Sequence, residues 1–204
     1  KDLSVSFDSL IKFDPYFEIS SDISINKIDK KLINKLSLEK ILNDQEILKK
    51  FNSNSKVSYN KKKFRNNFIK NHYSELNLAH GRLNFLSKIY ISGGDINCKG
   101  ESSLIEEYPR LNFVCLFNLE DKKQLLKKFS ISKNINKDPM NLNVEGSLNL
   151  LNKKINFKKI NIGTSYVAND IDMKYFKENF ENILFDDDFF GIFRMNKIKK
   201  FLLE

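Results

Sequence analysis

The sequence predicts a β-rich α+β fold, in which a curved sheet, antiparallel or mixed and shaped like a groove, carries short amphipathic helices packed on it. Apolar and polar residues alternate through most of the chain, which is typical of strands with one buried face. The apolar spacing changes to that of helices in three segments, 30–51, 121–129 and 170–202. The stretch from Gly146 to Phe157 also echoes the stretch from Gly81 to Ile91, which suggests a sheet built from similar units.

The first part of the chain combines strands, a helical segment and a basic stretch. Alternation over residues 3–28 predicts strands, with a turn at Asp14-Pro15, and the helical segment follows. Residues 52–73 are polar and basic and predict a loop, with a strand returning between Phe64 and Tyr73. We expect two domains: residues 1–73, which hold these elements, and residues 74–204, which hold the groove and the terminal helices.

The β signal is strongest between residues 76 and 119. A strand with one apolar side is followed by Gly93-Gly94, which predicts a two-residue hairpin. The next strand runs through Ile96, Cys98 and Gly100, and another covers residues 111–119.

The remaining elements alternate between helix and strand. Asp121 is predicted to cap a short helix, with Gln124 in a capping-box position. Strands follow over residues 142–162, and a change of parity near Lys158-Lys159 predicts a β-bulge. Asn169-Asp170 is predicted to cap an amphipathic helix. The side chains expected to point inward from that helix are Ile171, Phe176, Phe180, Ile183 and Leu184, and a last helix carries Phe189, Phe193, Ile198, Phe201 and Leu202.

Composition argues for a folded chain without a nucleic-acid partner. Hydrophobic residues make up 41% of the 204 residues, enough for a core. The net charge is +9, but Arg occurs only four times, so 35 − 4 = 31 basic residues are Lys. Proteins that bind nucleic acids usually rely on Arg for bidentate contacts. The excess of Lys, Asn and Ile is typical of AT-rich coding sequence, and the composition therefore argues against a nucleic-acid partner.

No apolar run approaches the ~18 residues needed to span a bilayer. The chain begins at Lys1, which suggests an excised or partial product that could have lost a signal or anchor segment. The two cysteines, Cys98 and Cys115, fall on apolar positions of predicted strands. They are either small buried hydrophobes or a disulfide, and the disulfide requires a compartment outside the cytosol.

Catalytic and metal-binding patterns are missing from the sequence. His72 and His80 are eight residues apart, which matches no metal motif. The run Asp186-Asp187-Asp188 is better explained as a solvated loop that ends a helix. There is no Gly-x-Ser-x-Gly elbow and no P-loop. We therefore predict a non-enzymatic protein without a catalytic site, metal or cofactor.

The order of elements from about residue 75 to residue 204 resembles the C-terminal region of the AsmA-like family, which includes the TamB-type envelope proteins of bacteria. The resemblance rests on the strands of residues 76–119, the helix that ends Leu125-Leu-Lys-Lys-Phe129, and the basic connector to Pro139. The strand pair to Ile162 and the terminal helix complete it. The first 70 residues depart from the family pattern because their helical segment is longer.

This resemblance implies a function and a location. AsmA-like proteins are tethered to the inner membrane by an N-terminal helix, project into the periplasm and build long curved β-grooves with an apolar interior. They are implicated in moving phospholipid toward the outer membrane and in outer-membrane assembly. The expected partners are therefore phospholipid or a membrane surface, together with other envelope proteins.

Two sets of residues are candidates for lipid contact. Apolar side chains at every second position of the predicted strands would bind acyl chains by burying apolar surface. They are Leu83, Phe85, Ile89, Ile91, Phe113, Phe117, Leu142, Val144, Leu148, Leu150, Ile155 and Phe157. Basic side chains at the centre of the polar stretch would contact anionic headgroups. They are Lys61, Lys62, Lys63 and Arg65.

Two other functions stay open. The basic stretch would also suit a nucleic-acid-binding module, whose affinity falls steeply with salt. Alternatively, the helices cover the apolar face of the sheet completely, and the protein is a scaffold with a closed core.

Overall fold

The computed structural model describes residues 4–14, 17–27, 42, 44–60, 69–131, 138–185 and 195–203. Their strands form one open, curved sheet of ten strands, each beside its neighbours in sequence. The strands are β1 Ser4–Lys12, β2 Glu18–Lys27, β3 Asn52–Asn60, β4 Ile69–Ala79, β5 Arg82–Ile91, β6 Gly94–Ser103, β7 Arg110–Leu119, β8 Met140–Asn149, β9 Ile155–Ile162 and β10 Tyr166–Val167. The helices described are α1 Gln45–Lys50, α2 Lys122–Lys128, α3 Asp170–Phe185 and α4 Met195–Leu203. The β-rich α+β class is therefore confirmed.

The sheet is mixed because one pair of strands is parallel. β2 and β3 run in the same direction, whereas all other neighbours are antiparallel. A parallel pair needs a crossover connection, and the segment that contains α1 provides it. β4 spans the boundary predicted between residues 73 and 74, and strands from both sides of it belong to one sheet.

The register gives the sheet two chemically different faces, because directly opposed residues point to the same side. Phe85 of β5 lies opposite Leu76 of β4 and Gly100 of β6, and the pairing continues in this way across the sheet. The side that carries Phe85 is called the apolar face below. From β1 to β9 it includes Val5, Phe7, Ile19, Ile23, Val57, Leu76, Leu83, Ile89, Ile96, Phe113, Phe117, Leu142, Val144, Phe157 and Ile160. The opposite side is called the polar face.

The prediction of a loop over the first part of residues 52–73 was wrong, because β3 occupies residues 52–60. Hydroxyls take apolar-face positions in this strand, which conceals its alternation. They are paired: the Oγ atoms of Ser21 and Ser55 lie 2.8 Å apart, and those of Ser53 and Ser55 lie 2.9 Å apart. Serine therefore fits a half-buried face without an unsatisfied hydroxyl.

Two short helices cap opposite ends of the strands. Asp44 accepts a hydrogen bond from the N–H of Ile47 at the start of α1, and Leu48 on that helix is 2% exposed. Leu48 packs in a buried cluster with Leu42, Leu104 and Leu150. In α2 the predicted cap is confirmed, since Asp121 Oδ1 accepts from the N–H of Gln124 at 3.0 Å.

α3 lies against β9, near the edge of the sheet that is formed by β10. Asn169 Oδ1 accepts from the N–H groups of Ile171 and Asp172, which confirms the predicted cap. Met173 and Phe176 pack against the buried pair Val144 and Ile160. The prediction that Ile171 points inward was wrong, because it is 80% exposed. It precedes Met173 by two residues, about 200° around the helix, and so faces away from the sheet.

Two predicted irregularities are present, one of them shifted. The register changes between Glu145 and Gly146 of β8, opposite Lys158-Lys159, which confirms the bulge. The hairpin between β5 and β6 also exists, but its two loop residues are Ser92 and Gly93, with Gly93 at a φ of 93°.

The expected likeness of the Gly81 and Gly146 units was wrong. Gly81 lies in the two-residue turn between β4 and β5 with a φ of 76°, whereas Gly146 lies inside β8. Gly81 is needed for its backbone conformation, as expected for tight hairpins. Gly146 is needed for space, because a Cβ there would lie 3.0 Å from the ring of Phe113.

We expect Gly100→Ala to lower the free energy of unfolding by about 2 kcal/mol, through overpacking in the sheet. The added methyl group would overlap the carbonyl oxygen of Asn112 and the ring of Phe85. Thermal unfolding followed by circular dichroism measures the effect. A melting temperature equal to that of the unmodified protein would contradict the close approach of Phe85 to Gly100.

Candidate functional site

The predicted acyl-chain residues lie on one side of the sheet. Eleven of the twelve are on the apolar face, and Leu150 follows β8 and joins the cluster below α1. The buried ones are Ile91, Val144, Leu150 and Ile155. The half-buried ones are Leu83, Phe85, Ile89, Phe113, Phe117, Leu142, Leu148 and Phe157. Most of the candidates therefore keep part of their surface open to solvent.

An aromatic row crosses the apolar face. Phe85, Phe113 and Phe157 stand in one cross-strand row, separated by Gly100 and Gly146. The ring centroids of Phe113 and Phe157 are 6.5 Å apart, and the two ring planes are perpendicular. The ring centroid of Phe180 in α3 lies 5.6 Å from that of Phe157. Because Gly100 and Gly146 have no side chains, the ring of Phe85 lies beside Gly100 and the ring of Phe113 lies beside Gly146.

Helices cover this face unevenly. α1 packs at the end of the strands beside Leu78 and Leu83, and α3 packs over β8 and β9. At the opposite edge, β1 exposes Phe7 (64%), Ile11 (48%) and Phe13 (76%, just after the strand). Among the residues that the structure describes, helices thus cover the apolar face toward β9 and leave it uncovered toward β1.

A disulfide joins the two cysteines, as one of the two alternatives predicted. Cys98 and Cys115 are directly opposite each other on β6 and β7, with Cα atoms 4.1 Å apart. The bond lies in the middle of the apolar face, between Ser87 and Val144 in the same cross-strand row.

Surface pockets that the sequence did not predict lie on the polar face. One, of about 530 Å³, has Leu86, Lys99, Glu101 and Val114 among its lining residues, and also touches Phe85 and Phe113. Its neighbour, of about 390 Å³, lies beside Tyr73 and Leu116. Apolar and charged side chains alternate in the linings of these pockets. The pockets therefore lack the continuous apolar surface that the predicted groove needs.

One polar cluster interrupts the apolar face, and sequence reasoning missed it. His72 Nε2 lies 2.6 Å from Ser74 Oγ and 3.0 Å from Ser87 Oγ, which stand on β4 and β5. Ser74 is 7% exposed, and His72 and Ser87 are half-buried. Burial lowers the pKa of His72, because the charged imidazolium loses its hydration. The sequence did contain a signal for this cluster. Residues 72, 74 and 87 occupy the same alternating positions in their strands as the residues that point to the apolar face.

The lowered pKa of His72 predicts that acidification destabilises the fold. The unfolded chain takes up a proton near the ordinary pKa of about 6.5, whereas the folded chain does so only at lower pH. The contribution of neutral His72 to the free energy of unfolding is therefore fully present above pH 6.5. Below that pH it decreases, by at most about 1.4 kcal/mol per pH unit. We expect urea unfolding between pH 7.5 and 5.5 to show a smaller loss for His72→Gln.

His80, exposed in the turn after β4, provides the matched control. His80→Gln should lose as much stability on acidification as the unmodified protein. An equal loss in His72→Gln and the unmodified protein would contradict the assignment.

The structure does not place the other predicted contacts. Lys61, Lys62, Lys63 and Arg65 lie outside the described residues. Within the described ranges, no helix is both long and apolar enough to cross a membrane. The same ranges contain no group of three His, Cys, Asp or Glu side chains that could hold a metal ion.

Comparisons with protein-family models, with curated proteins and with solved structures find no match for this chain.

Proposed function

We propose that this chain is a non-enzymatic, AsmA-like envelope domain that binds phospholipid and guides it along the apolar face of its sheet. The observation that carries the proposal is the sidedness of the sheet. Apolar side chains recur on one face from β1 to β9, and eight of the twelve predicted contacts are half-buried. A face of this kind must be covered by other elements or by a ligand.

The shape of the apolar face suits an extended hydrocarbon chain. Ten strands about 4.8 Å apart extend for roughly 43 Å across the sheet, well beyond the ~15 Å of one bilayer leaflet. Contacts through Phe85, Phe113 and Phe157 are dispersive and not directional. Such contacts bind a chain without fixing its position along the row, which allows it to slide.

The periplasm is the proposed location. Disulfides persist in oxidising compartments, including the bacterial periplasm, and the Cys98–Cys115 bond lies on the same face as the proposed lipid contacts. The proposed contacts with anionic headgroups remain Lys61, Lys62, Lys63 and Arg65.

Native mass spectrometry of the purified chain, with lipid extraction from the same sample, tests the proposal. We expect bound phospholipid, and its loss in Phe85→Asp and Leu148→Asp, because a carboxylate on the apolar face removes the acyl-chain contact.

Leu86→Asp is the matched control. Leu86 is adjacent to Phe85, 55% exposed and on the polar face. It should leave lipid binding unchanged, and circular dichroism should show all three variants folded. A lipid-free, folded protein, or equal lipid loss in Phe85→Asp and Leu86→Asp, would overturn the proposal and favour the closed scaffold.

A further inference from the structure

The apolar face changes character along the order of the strands. From β1 to β5 it contains several hydroxyls and one imidazole: Ser9, Ser21, Ser53, Ser55, Tyr59, His72, Ser74 and Ser87. From β6 to β9 its positions hold one hydroxyl, Ser102, among apolar residues and glycines. A ligand that lies across the strands therefore meets a polar region at one end and an apolar region at the other.

We infer that His72, Ser74 and Ser87 form a subsite for the ester and glycerol region of a bound lipid, whose acyl chain extends toward β9. This inference rests on the proposed function and adds the orientation of the ligand. Ser74 and Ser87 are directly opposed, and both hydroxyls converge on one ring nitrogen, His72 Nε2.

The hydrogen-bonding capacity of this cluster exceeds what its members use among themselves. A neutral imidazole nitrogen offers either one lone pair or one N–H, whereas each hydroxyl donates once and accepts twice. Val57 beside Ser74, Cys98 beside Ser87 and Ile89 beside His72 are apolar, whereas Tyr59, opposite His72 on β3, carries a further hydroxyl. Ester and hydroxyl oxygens of a lipid are groups of matching size and polarity for the remaining capacity.

The distance to the apolar region agrees with this orientation. Ser87 on β5 and Phe157 on β9 are four strands apart, or about 19 Å at the usual strand spacing. An acyl chain that fills one bilayer leaflet reaches about 15 Å. A lipid whose glycerol contacts Ser87 would therefore place its chain over Phe85 and Phe113 and end near β8, where α3 begins to cover the face.

Equilibrium binding of two radiolabelled ligands tests the subsite: 1-monopalmitoylglycerol and hexadecane, which have chains of similar length but differ in polar groups. For Ser74→Ala/Ser87→Ala we expect about tenfold weaker binding of monopalmitoylglycerol, since two hydrogen bonds are lost, and unchanged binding of hexadecane. Ser87→Ala alone, at the half-buried hydroxyl, should show a smaller loss and serves if the double variant does not fold.

Ser24→Ala/Ser58→Ala is the matched control, because these two hydroxyls lie 3.0 Å apart on the polar face of β2 and β3. It should leave both affinities unchanged. Unchanged monopalmitoylglycerol binding in the cluster variants, or an equal loss for both ligands, would overturn the subsite while leaving lipid binding intact. If the unmodified protein binds neither ligand, the proposed function fails together with the subsite.

Discussion

Cys98→Ser/Cys115→Ser is expected to lower the free energy of unfolding by about 3 kcal/mol, the value for a disulfide that closes a loop of this length. The bond links residues 17 apart in sequence and directly opposite each other in β6 and β7. Without it, the unfolded chain gains conformational freedom while the neighbouring strand pairs remain. Urea unfolding followed by circular dichroism, with and without reductant, measures the difference.

The double variant itself supplies the control for the reductant. Reductant should destabilise the unmodified protein to the level of Cys98→Ser/Cys115→Ser and should have no effect on that variant. Alkylation of two thiols in the unfolded but unreduced protein would show that the bond is absent and would remove the main support for a periplasmic location.

Leu48→Ala is expected to lower the free energy of unfolding by about 3 kcal/mol, because it leaves a cavity in the cluster below α1. Leu48 is 2% exposed and packs with Leu42, Leu104 and Leu150, which come from distant parts of the chain. The same urea titration measures the loss.

Ile47→Ala tests whether the effect depends on burial. Ile47 is the preceding residue of α1 and is 59% exposed. Its replacement should change stability by less than about 0.5 kcal/mol, as is usual for surface positions. Equal losses in the two variants would contradict the packing of α1 against the sheet.

Much of the sheet was predictable because its central strands are regular. In β7 every second side chain is apolar and in β5 four of five are, and the parity of Leu83, Phe85, Phe113 and Phe117 placed them on one face. The caps at Asp121 and Asn169 were predictable because their side chains bond to the nearest N–H groups, which is a local interaction. The bulge followed from a parity change within a single strand.

The rest depends on interactions that are distant in sequence. β3 was missed because Ser53 and Ser55 hold apolar-face positions, and the partner hydroxyl of Ser21 lies 34 residues away from Ser55. The cluster at His72 was missed for the same reason, since Ser87 reaches it only through the pairing of β4 and β5. The uneven helix cover could not be predicted, because it depends on how the helices pack against the sheet.

Photocrosslinking at two positions of β7 tests the central claim most directly. A photoreactive benzoylphenylalanine replaces either Phe113, on the apolar face, or Leu116, which is 47% exposed on the polar face. After irradiation of cells that make each variant, mass spectrometry of the purified protein identifies covalently attached phospholipid. We expect an adduct at position 113 and none at position 116. Adducts of equal yield at both positions, or at 116 alone, would contradict lipid binding along the apolar face.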